Sequence, residues 1–198
     1  MGDPMSDQEQ TAKPGPTRLR RFVQETLKTA VWLTVALVGV SLWQARSLLP
    51  HGRDAAAPEL AGSLLAAEGG GQRFDLAALR GRPVLIYFLA PWCGVCRVSV
   101  GTIDRIAVRP WREDLAVVAV ALDFESEKEV EAFVQDTSLR SGRVPVVLGG
   151  SDVGARWKID SYPTWYLVGA DGNVLTGAKG YTSWAGYRVR SWIAEIGI

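Results

Sequence analysis

From Gln72 onward the hydrophobic positions fall into two kinds of block. Val84–Leu89 (VLIYFL) and Leu115–Leu122 (LAVVAVAL) are unbroken apolar runs of strand length. Such runs suit strands covered on both faces, as in a parallel sheet with helices on either side. Between them a helical stretch begins near Cys93 and is stopped by Pro110. Ser126-Glu127-Lys128-Glu129 then reads as a capping box, followed by Val130, Phe133 and Val134 at i, i+3, i+4. Val144–Leu148 and Thr164–Val168 read as short strands, and Asp171-Gly172 as a two-residue hairpin turn into Asn173–Thr176. Ser183 can cap a last helix that places Ala185, Val189, Trp192, Ile193 and Ile196 on one face. The pattern predicts an α/β domain over residues 72–198, with a mixed central sheet flanked by helices.

The N-terminal part differs. Residues 1–21 read as a polar, disordered cytoplasmic tail that ends in Arg18, Arg20 and Arg21. No ionisable residue occurs from Thr29 to Ala45, a run that spans about 25 Å as a helix, at the lower edge of a bilayer crossing. Trp32 and Trp43 stand towards its ends, where amphipathic rings favour the headgroup zone. Residues 22–49 are therefore expected to be a transmembrane helix in contact with the lipid bilayer. A cleaved signal peptide or a buried core helix are the alternatives, although no small-x-small cleavage site follows directly. The basic flank lies on the N-terminal side, which puts that end in the cytoplasm and the rest outside it. Residues 50–71, with Pro50, Pro58, three alanines in a row and Gly69-Gly70-Gly71, read as a linker.

Composition narrows the chemistry. With 22 basic and 21 acidic residues in 198 there is no strong single-sign field, so nucleic acid is not an expected partner. A single histidine, His51, and two cysteines cannot close a four-ligand zinc site, and no metal or other cofactor is expected. The only cysteines, Cys93 and Cys96, are three apart in Cys-Gly-Val-Cys. On a helix this spacing puts both on one face, within easy adjustment of disulfide geometry. Cys93 would stand at the helix N-terminus, where free N–H groups and the macrodipole favour a thiolate. Cys96, one turn deeper, would resolve a mixed disulfide by attacking Cys93. A lone CxxC can also be half a metal site, a structural disulfide or two buried thiols. Its place after an apolar strand and the short loop Ala90-Pro91-Trp92 favours the redox reading.

The run Pro83–Arg97, containing Ala90-Pro91-Trp92-Cys93-Gly94-Val95-Cys96, resembles the active-site region of membrane-anchored thioredoxin-like proteins. These form the TlpA/ResA group, which includes the suppressor-of-copper-sensitivity D type. Tyr162-Pro163-Thr164 before a strand resembles that family's cis-proline loop, and Trp157-Lys158-Ile159 and Asp171-Gly172 also fall where the family has them. The resemblance covers about residues 72–198. It implies a thioredoxin fold, and thiol-disulfide exchange with protein substrates on the periplasmic side of a bacterial inner membrane, with a membrane protein as electron donor. Carried over by position, Cys93 is the nucleophile and Cys96 the resolving thiol. Trp92, Tyr162 and a cis Pro163 would meet the substrate, while Gly94 and Val95 would tune the redox potential.

Two positions depart from the family pattern. Tyr87 stands where many thioredoxins bury an acid, and Ser99 stands where many TlpA/ResA members have Glu. Asp104 and Glu113 read as solvated charges, and His51 as a solvated linker residue. Arg97 is either a surface charge or a support for Cys93. Trp157 and Trp165 read as core or pocket rim, and Trp111, Trp184 and Trp192 as packing residues. A Cu(I)-binding or copper-stress module using the same two thiolates is the alternative function. Peroxide reduction is disfavoured by Ala90, where peroxidatic sites need Thr or Ser.

Overall fold

A computed structural model describes residues 18–46, 48–50, 52, 54–65 and 72–195. The chain divides into two compact units, 1–43 and 44–198. Residues 1–17 of the expected tail, His51 and Gly69–Gly71 lie outside the described residues, whereas residues 18–21 of that tail are helical.

The first unit contributes one long helix, α1 (Arg18–Arg46). Its described side chains, at residues 23–36, 39 and 40, are all exposed, Trp32 and Leu33 among them. Among the described residues no helix is long and apolar enough to cross a membrane. The expected span of 22–49 is thus not shown as a crossing segment. The helix ends at Arg46, whereas Leu49 is buried in the second unit, where its N–H donates to the Tyr166 hydroxyl at 3.2 Å.

The second unit is built on a seven-stranded sheet in the order β2-β1-β5-β4-β3-β6-β7. The strands are β1 (Ala61–Leu64), β2 (Arg73–Asp75), β3 (Val84–Leu89), β4 (Ala116–Ala121), β5 (Val146–Leu148), β6 (Thr164–Val168) and β7 (Val174–Lys179). β3, β4 and β5 are parallel, and the remaining pairs are antiparallel. The helices are α2 (Gly94–Val108), α3 (Glu127–Gln135), α4 (Ser151–Arg156) and α5 (Trp184–Glu195).

The unbroken apolar runs explain the sheet's centre, because β3 is buried at all six positions. Leu85, Tyr87 and Leu89 point into one core layer with Val117, Ala119, Trp165 and Leu167. Cys96, Val100, Ile103 and Ile106 of α2 close that layer, with Val130 and Phe133 of α3. Val84, Ile86 and Phe88 point the other way, onto Val118, Val120 and Tyr166, under Val153 of α4 and Trp157. Trp157 and Trp165 are both core residues without exposed surface.

Three expectations change. Part of the stretch read as a linker is sheet: β1 lies between β2 and β5, Ala56 bridges Asn173, and Leu60 is fully buried. In α5 the buried positions are Tyr187 and Ser191, whereas Val189, Trp192 and Ile193 are exposed. Tyr187 packs on the Trp165 ring at 4.6 Å between centroids, and that contact turns the helix away from its expected apolar face. Ile196 lies outside the described residues. At the start of α3, Ser126 occupies the N-cap without a side-chain bond, and the Glu129 carboxylate accepts the N–H of Glu125 at 3.0 Å.

Candidate active site

β3 ends at Leu89, and the loop Ala90-Pro91-Trp92 carries the chain directly into α2. Cys93 is the N-cap of that helix, with extended backbone (φ −78°, ψ 108°). A cap residue must satisfy free N–H groups of the first turn, a task usually done by a Ser, Thr, Asp or Asn oxygen. Here the Cys93 sulfur does it, accepting the N–H of Cys96 at 3.2 Å. Both cysteines are free thiols. Cys93 keeps a sliver of exposed surface (6%), whereas Cys96 has none. Burial, followed by the hydrogen bond with Cys93, pushes the Cys96 thiol up to about 12. Gly94 and Val95 complete the turn, with Val95 and Val98 exposed beside it.

Three loops meet at this helix end. Trp92 is exposed (68%), and its ring stands edge-on to Tyr162 at 5.7 Å between centroids. Tyr162 is half-buried and joined to Pro163 by a cis peptide bond, and Pro163 itself is buried just before β6. Asp123, two residues past β4, joins the two aromatic residues. Its carbonyl accepts the Trp92 indole N–H at 2.9 Å, and its carboxylate accepts the Tyr162 hydroxyl at 2.9 Å. Asp123 sits at φ +50°, a left-handed conformation that Asp tolerates better than most residues. Burial first, and then the bond to Asp123, hold the Tyr162 hydroxyl well above the ordinary tyrosine range.

The structure thus brings Trp92, Cys93, Cys96 and Tyr162 into one cluster and adds Asp123, which the sequence reading did not single out. A usable signal existed: an acidic residue just past the C-terminal end of a parallel strand, where open α/β sheets place their sites. Tyr87 and Ser99, noted only as departures, prove to be partners, because their hydroxyls share a short hydrogen bond in the core. Arg97 is a surface charge. It pairs with Asp136 at 3.5 Å, with its guanidinium over the Phe133 ring. Asp104 is less solvated than expected, since its carboxylate accepts from Ser141 at 2.7 Å and faces Arg143 at 3.6 Å. Among the described residues no group of three or more His, Cys, Asp or Glu side chains could hold a metal ion.

Comparison with known proteins agrees with this architecture. A Redoxin family profile matches residues 51–187. A thioredoxin-like protein of Haemophilus influenzae is 28% identical over 88% of this chain and 98% of its own length. The thiol-disulfide oxidoreductase ResA of Bacillus cereus is 24% identical over 53% of this chain and 59% of its own. Among solved structures, a thioredoxin-family thiol:disulfide interchange protein from Chlorobium tepidum superposes with a TM-score of 0.59. That match covers 73% of this chain and 99% of the other at 22% identity, and so speaks for the fold alone. The mixed sheet, the Cys-x-x-Cys pair at the start of α2 and the match across 51–187 lead to one conclusion: the chain belongs to the Redoxin family and is of the thioredoxin-like type.

Proposed function

We propose that this redoxin is a thiol-disulfide oxidoreductase that acts on protein disulfides through Cys93 and Cys96. The observation that carries the reading is the placement of Cys93 Sγ as the cap of α2, with Cys96 one turn behind it and fully buried. The outer sulfur attacks the substrate disulfide, one substrate sulfur leaves as a thiol, and a mixed disulfide forms on Cys93. Cys96 Sγ then attacks Cys93 Sγ, the bond to the substrate breaks, and the second substrate sulfur leaves. The substrate disulfide is reduced to two thiols while the cysteine pair becomes a disulfide, and the reverse sequence oxidises a substrate. Trp92, Tyr162 and Pro163 form the rim that a substrate strand meets, and Gly94 and Val95 set the potential of the pair.

The reaction belongs outside the cytoplasm, with a membrane protein renewing the dithiol and residues 22–49 holding the chain to the inner membrane. The exposed apolar side chains of α1 behind Arg18, Arg20 and Arg21 support this, because such a surface needs a cover. Extraction separates the cases: release by alkaline carbonate means a surface-bound helix, and release by detergent alone means an inserted one. The Cu(I) alternative gains no support. Among the described residues no His, Asp or Glu joins the two sulfurs as a further ligand. Reduction of insulin by dithiothreitol, with and without the protein, tests the enzymatic reading. Wild type should accelerate it and Cys93→Ser should not; equal rates would refute the reading.

A further inference from the structure

Among the described residues no ionised side chain acts on Cys96 directly, and the Asp123 carboxylate stands one residue removed, on the Tyr162 hydroxyl. Its core layer is apolar apart from tyrosine, tryptophan and cysteine side chains, and the other buried polar side chains described in the unit are serines and threonines. The groups that titrate near it are Cys93 on the same helix end, Tyr87 on β3 and Tyr162 in the loop before β6. Tyr187 of α5 acts on Tyr87, and Arg97, next along α2, is drawn away to Asp136. Proton control at Cys96 therefore falls to neutral hydroxyls.

Tyr87 is fully buried, and its hydroxyl meets that of Ser99, which lies three residues beyond Cys96. A serine hydroxyl has one proton to give. Ser99 gives it to the Val95 carbonyl at 2.8 Å, with the Cys96 carbonyl a longer alternative at 3.3 Å. Tyr87 must then be the donor in its bond to Ser99. With its proton on Ser99, the phenol has none to give the Cys96 sulfur, although a Tyr87 hydrogen bond there would favour the thiolate. Stabilising a thiolate there requires the chain to reverse, with the Tyr87 proton turning to the sulfur and the Ser99 proton turning to the phenol oxygen.

We propose that the Tyr87–Ser99 pair is a two-position hydrogen-bond switch behind Cys96, in which Ser99 holds the thiol neutral and Tyr87 supports its thiolate when the pair reverses. The proposal rests on Cys96 being the resolving thiol. During resolution the S–S bond between Cys96 and Cys93 forms and the bond from Cys93 to the substrate breaks. The departing substrate sulfur takes up a proton from solvent as Cys96 releases its own, and both hydroxyls keep theirs. Tyr87 and Ser99 are thus positioning residues. The two side chains act in opposite directions, which a merely structural role would not produce.

Cys93→Ser leaves Cys96 as the chain's only cysteine, and serine is itself a good helix cap. In that background the Cβ NMR shift of isotope-labelled cysteine follows Cys96 ionisation against pH. Adding Ser99→Ala should lower the midpoint by about one unit, tenfold in the acid constant, because Tyr87 then has no other acceptor. Adding Tyr87→Phe should raise it by a similar amount. In chains that keep both cysteines, rapid-mixing measurement of mixed-disulfide resolution at a single pH should be about three- to fourfold faster for Ser99→Ala and slower for Tyr87→Phe, since a more acidic thiol is also a weaker nucleophile. This rate decides the matter where a midpoint lies beyond the pH range of the folded protein. Shifts of the same sign, or no shift, overturn the switch. A wild-type chain that reduces no disulfide would instead refute the proposed function, while the titration, which needs no substrate, would still decide the switch.

Discussion

The Tyr162 hydroxyl donates to the Asp123 carboxylate at 2.9 Å, and this bond ties the loop before β6 to the end of β4. The Asp123 carbonyl also holds Trp92, so both aromatic residues beside the cysteine pair take their position from one residue. Asp123→Ala and Tyr162→Phe should each raise KM for a protein disulfide several-fold with little change in kcat. The double variant should be no worse than either single one, with a coupling of about 1 kcal/mol. Asp123→Ala should also bring the Tyr162 hydroxyl down towards its ordinary range, read from phenolate absorbance, because the carboxylate helps to hold it up.

The Cys96 thiol, pushed from 9.0 up to about 12, makes reduced and oxidised protein respond differently to alkali. An unfolded chain releases this proton at lower pH than the folded one, so the folded state loses stability once the unfolded thiol ionises. The contribution is complete below pH 9.0 and is lost as pH rises towards about 12. The disulfide form has no such proton. Urea unfolding at about pH 8 and about pH 10 should show the reduced protein losing stability relative to the oxidised one.

Leu60 is fully buried in a stretch whose composition reads as a linker. Leu60→Ala should therefore cost about 2–5 kcal/mol in denaturant unfolding, the range for a core leucine. A change of under about 0.5 kcal/mol, as at an ordinary surface site, would show that the sheet does not depend on this segment.

Gly177 of β7 lies where a Cβ would come within 2.5 Å of the Tyr166 ring and 2.9 Å of the Trp165 carbonyl. Tyr166 is fully buried and cannot give way. Gly177→Ala should destabilise the protein by about 1–3 kcal/mol, measured by thermal unfolding.

How much of this could be read in advance depended on how far each feature is written in local pattern. β3 and β4 were legible because strands buried on both faces leave no polar positions in the sequence. The cysteine pair and Tyr162-Pro163 were legible as motifs, with strand and helix boundaries a residue or two off. β1 was not, because Ala61-Gly62-Ser63-Leu64 is short and small, and Gly62 is placed by close approach to the Leu148 carbonyl rather than by propensity. The buried side of α5 was misread because the Tyr187 stack on Trp165, a tertiary contact, outweighed the periodic apolar positions. Asp123 carries only the positional signal of an acid past a strand end, and its bond to Tyr162, like that of Tyr87 to Ser99, joins separate elements and leaves no local signature.

In the proposed mechanism Cys93 makes the bond to substrate and Cys96 releases it. The most direct test is to react Cys96→Ser with a disulfide-containing protein and map the product by non-reducing mass spectrometry. A stable mixed disulfide through Cys93 is expected, absent from wild type and from Cys93→Ser. No trapped adduct in Cys96→Ser, or an equally abundant one in wild type, would contradict this division of roles.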